Sequence, residues 1–263
     1  MALIKSEIKK LAALLTKRGR MREKMFMAEG VRLLEEALAA DYLPLTLLYA
    51  PSEINQRGEK LIRAMAARKV ETRTISAREC HRLSDTKSSQ GIIAVFARRE
   101  HDPAKQDWKR FRRILICDRI GDPGNLGTLI RSAVAFDFDL VVTTPDSAEI
   151  FNPKAIRASM GGFFKIPIIG GVDDHLLADR LSRAGTIMYN ADIKGEDIGR
   201  AGAVPNRAAL ILGSEASGSG QILAERADHR IRIPMSKKVE SLNAAAAGAL
   251  LMYWMQFGER IKV

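Results

Sequence analysis

The chain has 263 residues, 46% of them hydrophobic and 28% charged, which is ordinary for a globular protein with a sizeable core. No apolar run approaches the ~20 residues that a bilayer-spanning helix needs, and the opening MALIKSEIKKLAALLTKRGR has no signal-peptide pattern. Two distant cysteines, Cys80 and Cys117, and four histidines in no ligand spacing argue against a metal site and fit a reducing cytoplasm.

The net charge is +11 and the pI about 9.8. Excess positive charge attracts polyanions, because each neutralised phosphate releases condensed counterions. A basic surface also serves solubility, so charge alone does not choose between the two. Residues 1–30 hold eight Lys and Arg against three Glu, with Phe26 the one aromatic. Base-stacking platforms are therefore not indicated there.

Residues 1–20 read as one basic amphipathic helix ending near Gly19. A helix follows over 31–40, with Val31, Leu34 and Leu38 at helical spacing. Strand 45–49 stops before Pro51, helix 58–68 and alternating strand 70–75 come next, and a polar turn leads to the buried strand GIIAVFA at 91–97. The polar stretch 98–107, with Asp102 before Pro103, reads as a linker, which divides the chain into domains 1–105 and 106–263.

The second half opens on the apolar strand ILICDRI from Ile114, then a Gly-rich turn and a helix over 126–136. Strand 140–144, helix 153–160, strand 165–169 and helix 175–183 continue the alternation. Strands 186–190, 208–212 and 230–234, a short helix 221–227 and a long helix 241–257 complete it. Apolar strands alternating with helices predict an α/β fold whose parallel sheet is covered on both faces.

Three segments carry chemistry. In IGDPGNLGTLIRSAVAFDF a strand hands over to a helix; its glycines allow close backbone approach, Asn125 is placed to cap the helix, and Arg131 follows six residues on. In ALILGSEASGSG a buried strand delivers Glu215 at its carboxyl end, the edge where open α/β sheets bind ligands. In IRIPMSKKVESLNAAAAGALLMYW a strand ends at Pro234, and Ser241 is placed to cap the final Ala-rich helix. Alone, each also reads as an ordinary junction, turn or capped helix. The glycine spacing is neither a dinucleotide fingerprint nor a phosphate loop, which disfavours a nicotinamide oxidoreductase.

Taken in order, Asn125-x-Gly127-x-x-x-Arg131, Leu212-Gly213-Ser214-Glu215, and Ile233-Pro234-Met235 through Ser241-Leu242-Asn243 resemble the three motifs of the SpoU/TrmH RNA methyltransferases. The likeness spans 113–257. The stretches FMAEGVRLL (26–34) and SDTKSSQGIIAV (84–95) resemble the small α/β substrate-binding domain often joined to that family.

The resemblance implies a deep trefoil knot in the C-terminal domain and methyl transfer from S-adenosylmethionine to a ribose 2′-hydroxyl of ribosomal or transfer RNA. It implies cofactor contacts at Leu212, Gly213, Ile233, Met235 and Leu242, with Ala191 a further candidate. The family assigns activation of the hydroxyl to Arg131. Because an arginine stays protonated, stabilising the developing alkoxide or gripping a phosphate suits it better. Asn125 and Glu215 would orient it or the ribose, Ser241 would bind phosphate, and Asn243 would position the hydroxyl. A homodimer is implied, with Met252, Trp254 and Met255 a candidate face; intrachain core is the equal alternative. The chain departs from the family at Lys237 and Ala216, where glycines are usual. Those departures motivate a second reading: an RNA-binding ribosome-assembly factor with a catalytically weak methyltransferase-like domain.

Overall fold

A computed structural model describes residues 3–86, 89–236 and 238–258. The chain forms two compact units. The first is Met1–Arg99 with Phe151–Phe164, the second Glu100–Ile150 with Lys165–Val263.

The basic N-terminus is two helices, α1 (Lys5–Ala13) and α2 (Lys17–Glu23), rather than one ending at Gly19. Leu14 turns fully inward, and Thr16 caps α2 by accepting a hydrogen bond from Gly19 N. Strand β1 (Met25–Glu29), helix α3 (Val31–Ala39), strand β2 (Thr46–Tyr49) and helix α4 (Gln56–Ala67) follow. Then come strand β3 (Glu71–Thr74), helix α5 (Ala77–Leu83) and strand β4 (Ile92–Ala97). The sheet order is β1-β4-β2-β3, with β4 antiparallel to both neighbours and β2 parallel to β3. Two of these elements were hidden in sequence. Strand β1 runs straight into α3 with Gly30 (φ 104°) as its only break. Helix α5 sits in a stretch that reads as a polar turn, although Ser76 and Glu79 form a reciprocal capping box.

The second unit begins with strand β5 (Arg113–Cys117), helix α6 (Pro123–Ala135) and strand β6 (Leu140–Thr143). Helix α7 (Pro153–Ala158) packs against β1 and belongs to the first unit, where Phe151 and Phe163 join Phe26 in an aromatic cluster. The second unit resumes with strand β7 (Ile168–Ile169), helix α8 (Asp174–Ala184) and strand β8 (Ile187–Asp197). Strand β9 (Ala208–Leu212), helix α9 (Gln221–Arg226), strand β10 (His229–Arg232) and helix α10 (Ala244–Phe257) complete it. All six strands are parallel, in the order β10-β8-β9-β5-β6-β7.

Central strands β5, β6 and β9 are buried at essentially every position, as uninterrupted apolar runs require. Helix α10 lies on α6 and β9 at Gly248, where any side chain would meet Leu129 and Leu212 at 2.3 and 2.6 Å. Met252 and Met255 are 0% and 3% exposed, so they are core residues of their own chain. The large apolar residues that α10 leaves exposed are Leu250 and Tyr253. No helix among the described residues is long and apolar enough to cross a membrane.

Candidate active site

Parallel strands deliver their following loops to one edge, the carboxyl edge. After β5 the chain turns into α6 through Asp122, whose carboxylate accepts from Asn125 N at 2.9 Å. Asp122 is thus the helix cap, with Pro123 in the first helical position, and Asn125 sits in the first turn. Asn125 does not cap the helix. Its side chain reaches across instead, and its Nδ2 donates to Glu215 Oε1 at 2.8 Å.

Glu215 stands on the loop after β9. Gly213 opens that loop where a Cβ would lie 2.0 Å from the Gly218 carbonyl carbon, so only glycine fits. Ser214 and Gly218 then exchange two backbone hydrogen bonds of 3.1 and 2.9 Å, closing a tight hairpin with exposed Glu215, Ala216 and Ser217 at its tip. The hairpin forms with alanine at 216.

The third loop follows β10 and enters α10 at Asn243. Asn243 Oδ1 accepts from Ala245 N and Ala246 N, which makes Asn243 the cap. Ser241 is not; it lies two residues upstream, exposed. The other end of the Asn243 amide donates to Asn125 Oδ1 at 3.0 Å and to Glu215 Oε1 at 3.2 Å. Ala244 N donates to the same Glu215 oxygen at 3.1 Å. One carboxylate oxygen therefore gathers three donors from two helix starts, and the three loops are joined around it.

Beside this cluster lies a cavity of about 740 Å³. Leu212, Gly213, Ile233, Met235, Leu242 and Ala191 all line it, as do Glu215 and Ser241. Asn125 and Asn243 do not line it but are one hydrogen bond from Glu215. Arg131 is not brought in. Six residues after Asn125, it points about 120° away around the helix. It is exposed and takes no hydrogen bond or ion pair among the described residues. Lys237 lies outside the described residues.

The apolar pattern of the strand before the cavity ends at 190. The structure continues the strand through Asp197 with an outward excursion, because Arg230 pairs with Asn190 and the next residue, Ile231, with Glu196. Of the looped-out residues 191–195, Ala191, Asp192, Ile193 and Lys194 line the cavity, and they have no periodic apolar signature. Ile193 and Val239 both line the cavity and are 65% and 54% exposed. Arg230 and Arg232 also line the cavity, beside Asp192 and Asp197 at 3.5 and 3.7 Å.

Comparison with known proteins decides the family. The SpoU rRNA Methylase family model matches residues 112–253, more than half the chain, and an MRM3-like substrate binding domain model matches 5–94. The chain belongs to the SpoU family of RNA methyltransferases. It is 30% identical over 256 residues to the 23S rRNA (guanosine(2553)-2′-O)-methyltransferase RlmP of Bacillus subtilis, covering 95% of this chain and 96% of that protein. Among solved structures, a putative TrmH-family RNA methyltransferase from Porphyromonas gingivalis superposes with a TM-score of 0.83 at 28% identity, covering 97% and 98% of the two chains. The SpoU methyltransferase AviRb from Streptomyces viridochromogenes, solved in complex with AdoMet, has a TM-score of 0.84 at 24% identity over 98% and 100%. In this SpoU chain the three motif loops are the ones that meet at the carboxyl edge.

Proposed function

We propose that this protein transfers a methyl group from S-adenosylmethionine to a ribose 2′-hydroxyl of ribosomal RNA. The observation that carries the reading is the Asn125–Glu215–Asn243 cluster beside the cavity at the carboxyl edge. The likeness to RlmP over nearly the whole chain supports ribosomal RNA as the substrate and the ribose oxygen as the target. The likeness to the bacterial RlmP supports a cytoplasmic location.

The cavity suits the cofactor. Its volume falls within the ~300–1,000 Å³ usual for small-molecule sites. Gly213 lines the cavity, and its missing side chain lets the backbone of Gly218 and Ser219 close against it to shape that wall. Lys194, Arg230 and Arg232 against Asp192, Glu215 and Glu240 give a balanced lining for a ligand carrying both charges. When bound, the cofactor supplies an electrophilic methyl on a sulfonium centre. The chain's own residues bind and orient. Loops 212–220 and 233–243 hold the donor, Glu215 and the two asparagines fix the site floor, and Ser241 is free to take a phosphate oxygen.

Arg131 stands outside its own cavity, so its part in the reading requires a second copy. A two-fold dimer would bring the exposed face of α6 to the partner's cavity, and the exposed Leu250 and Tyr253 on α10 supply apolar surface for it. Arg131 then stabilises the developing alkoxide. The reading also takes the C-terminal segment to be threaded as a trefoil knot, as the resemblance to the SpoU/TrmH family implies.

The test is transfer of labelled methyl from S-adenosylmethionine to ribosomal RNA by the purified protein. The product is expected to resist alkaline cleavage at one position. Label on a base would refute the ribose assignment. Cofactor-independent RNA binding without transfer would favour the assembly-factor reading.

A further inference from the structure

Strand β9 lies between β8 and β5, and the loop that leaves it is held from both sides by buried polar groups. Asp118, directly after β5, is 0% exposed. Its Oδ2 accepts from Gly220 N at 2.5 Å, and its Oδ1 accepts from Thr144 Oγ1 at 2.9 Å. Thr144 in turn accepts from Arg119 N at 3.0 Å. Arg119 adopts a left-handed backbone (φ 56°), and its guanidinium lies 3.6 Å from the Asp118 carboxylate. On the other flank, Asn190 is 2% exposed, and its Oδ1 accepts from Ser219 Oγ at 2.6 Å.

Both pins fall on the last two residues of the loop that carries Glu215. The loop's first residues are fixed by β9 and by the Ser214–Gly218 hairpin. At its far end Gly220 caps α9, its carbonyl accepting from Ala224 N at 2.9 Å. The two side chains tie Ser219 and Gly220 to the strand ends on either side. A buried carboxylate is expensive unless its oxygens are satisfied, and here they are satisfied by the loop backbone and a neighbouring strand. Asp118 does not line the cavity, so any effect on ligand binding must pass through the loop.

We infer that Asp118 is a positioning residue for methyl-donor binding, with Asn190 as its counterpart across the loop. Together they hold residues 213–220 in the shape that forms the cavity wall and sets Glu215 on Asn125 and Asn243. The inference rests on the proposed cofactor reading and refines it.

The experiment compares wild type with Asp118→Asn, Ser219→Ala, Asn190→Ala and the Asn190→Ala/Ser219→Ala pair. Calorimetry reads S-adenosylmethionine affinity, and amide hydrogen exchange of the ligand-free protein reads the loop. Asp118→Asn keeps the shape and removes the charge, so affinity is expected to fall about tenfold, the loss on turning a charge-assisted bond into a neutral one. Exchange is expected to quicken at 214–220 and stay unchanged in β5, β6 and β9. Asn190 and Ser219 also line the cavity, so their test is the pair. Acting through their shared bond, Asn190→Ala and Ser219→Ala are expected to weaken binding equally, with no further loss together. An additive loss would mean that each meets the ligand directly and would remove Asn190 from the positioning role. Wild-type affinity and unaltered loop exchange in Asp118→Asn would overturn the inference. Exchange rising uniformly through the sheet would overturn it too, since Asp118 would then serve stability alone. Failure of wild type itself to bind S-adenosylmethionine would instead strike the proposed function.

Discussion

The two edges of the second unit's sheet use similar residues to opposite ends. At the amino edge, charged side chains are consumed by backbone. Asp139 Oδ2 accepts from Arg112 N and Arg113 N, and Asp228 accepts from Met188 N. Arg113 donates to the Pro205 and Met255 carbonyls, and Arg207 to those of Ala184 and Lys109. A cavity of about 620 Å³ lies there, yet Arg113 and Asp139 in its lining are already engaged. At the carboxyl edge, Ser241 has no partner among the described residues, and Glu215 engages one oxygen only. Pocket size does not tell the edges apart. What does is the gathering of three loops around Glu215 at the carboxyl edge, since, among the described residues, uncommitted charged side chains such as Arg112 and Asp137 line the amino-edge cavity as well.

If that contrast is right, substitutions at the carboxyl edge cost turnover and those at the amino edge cost stability. The largest effect is expected for Arg131→Ala, a loss of roughly 10³-fold in methyl transfer, with S-adenosylmethionine affinity within a few-fold of wild type. Full activity in that variant would remove Arg131 from the mechanism. Mixing it with Glu215→Ala after subunit exchange sharpens the point. Half of the dimers then pair the two variants and hold one intact site of two, so about a quarter of wild-type activity returns if the arginine acts across the interface. No recovery would confine it to its own protomer.

Glu215→Gln is expected next, at roughly 10²-fold in turnover with a smaller change in affinity. The amide nitrogen cannot accept, so one orientation of the new side chain repels three donors. A turnover equal to wild type would show that the cluster is only a loop clamp.

Asp139→Ala tests the other edge. It leaves two backbone amides without their charged acceptor and should lower stability by about 2 kcal/mol. Thermal melting reads the loss, while kcat and KM stay at wild-type values. A large kinetic effect would break the comparison between edges.

The smallest effect concerns Cys117. Burial, then the nearby Asp118 carboxylate, pushes its thiol up to about 12 from 9.0. The folded protein keeps the proton where the unfolded chain loses it, so stability falls as pH rises from about 9 toward 12. At pH 8 the native thiol should resist alkylation by iodoacetamide for hours and react fully in denaturant. Rapid native labelling would contradict the burial.

Much of this arrangement was written in the sequence as period and order. The parallel sheet showed in ILIC, LVV and ALIL, runs with no polar interruption, because strands covered on both faces have no wet side. The three motif loops could be assigned to strand ends for the same reason. What failed was local. Asp122 before Pro123 is a stronger helix start than Asn125, and Asn243 displaced Ser241 because its amide serves the helix and the cluster at once. The excursion at 191–195 had no signature, since its conformation is set by the pairing of β10, more than 30 residues later. Met252 and Met255 were as plausible on a dimer face as in the core. Gly248 decides it by letting α10 settle onto α6 and β9.

The most direct measurement is a map of 2′-O-methyl positions in ribosomal RNA from cells with and without the gene. One ribose methylation should vanish on deletion, return with the wild-type gene and stay absent with Arg131→Ala. An unchanged ribose map, or a lost methyl on a base, would contradict the account.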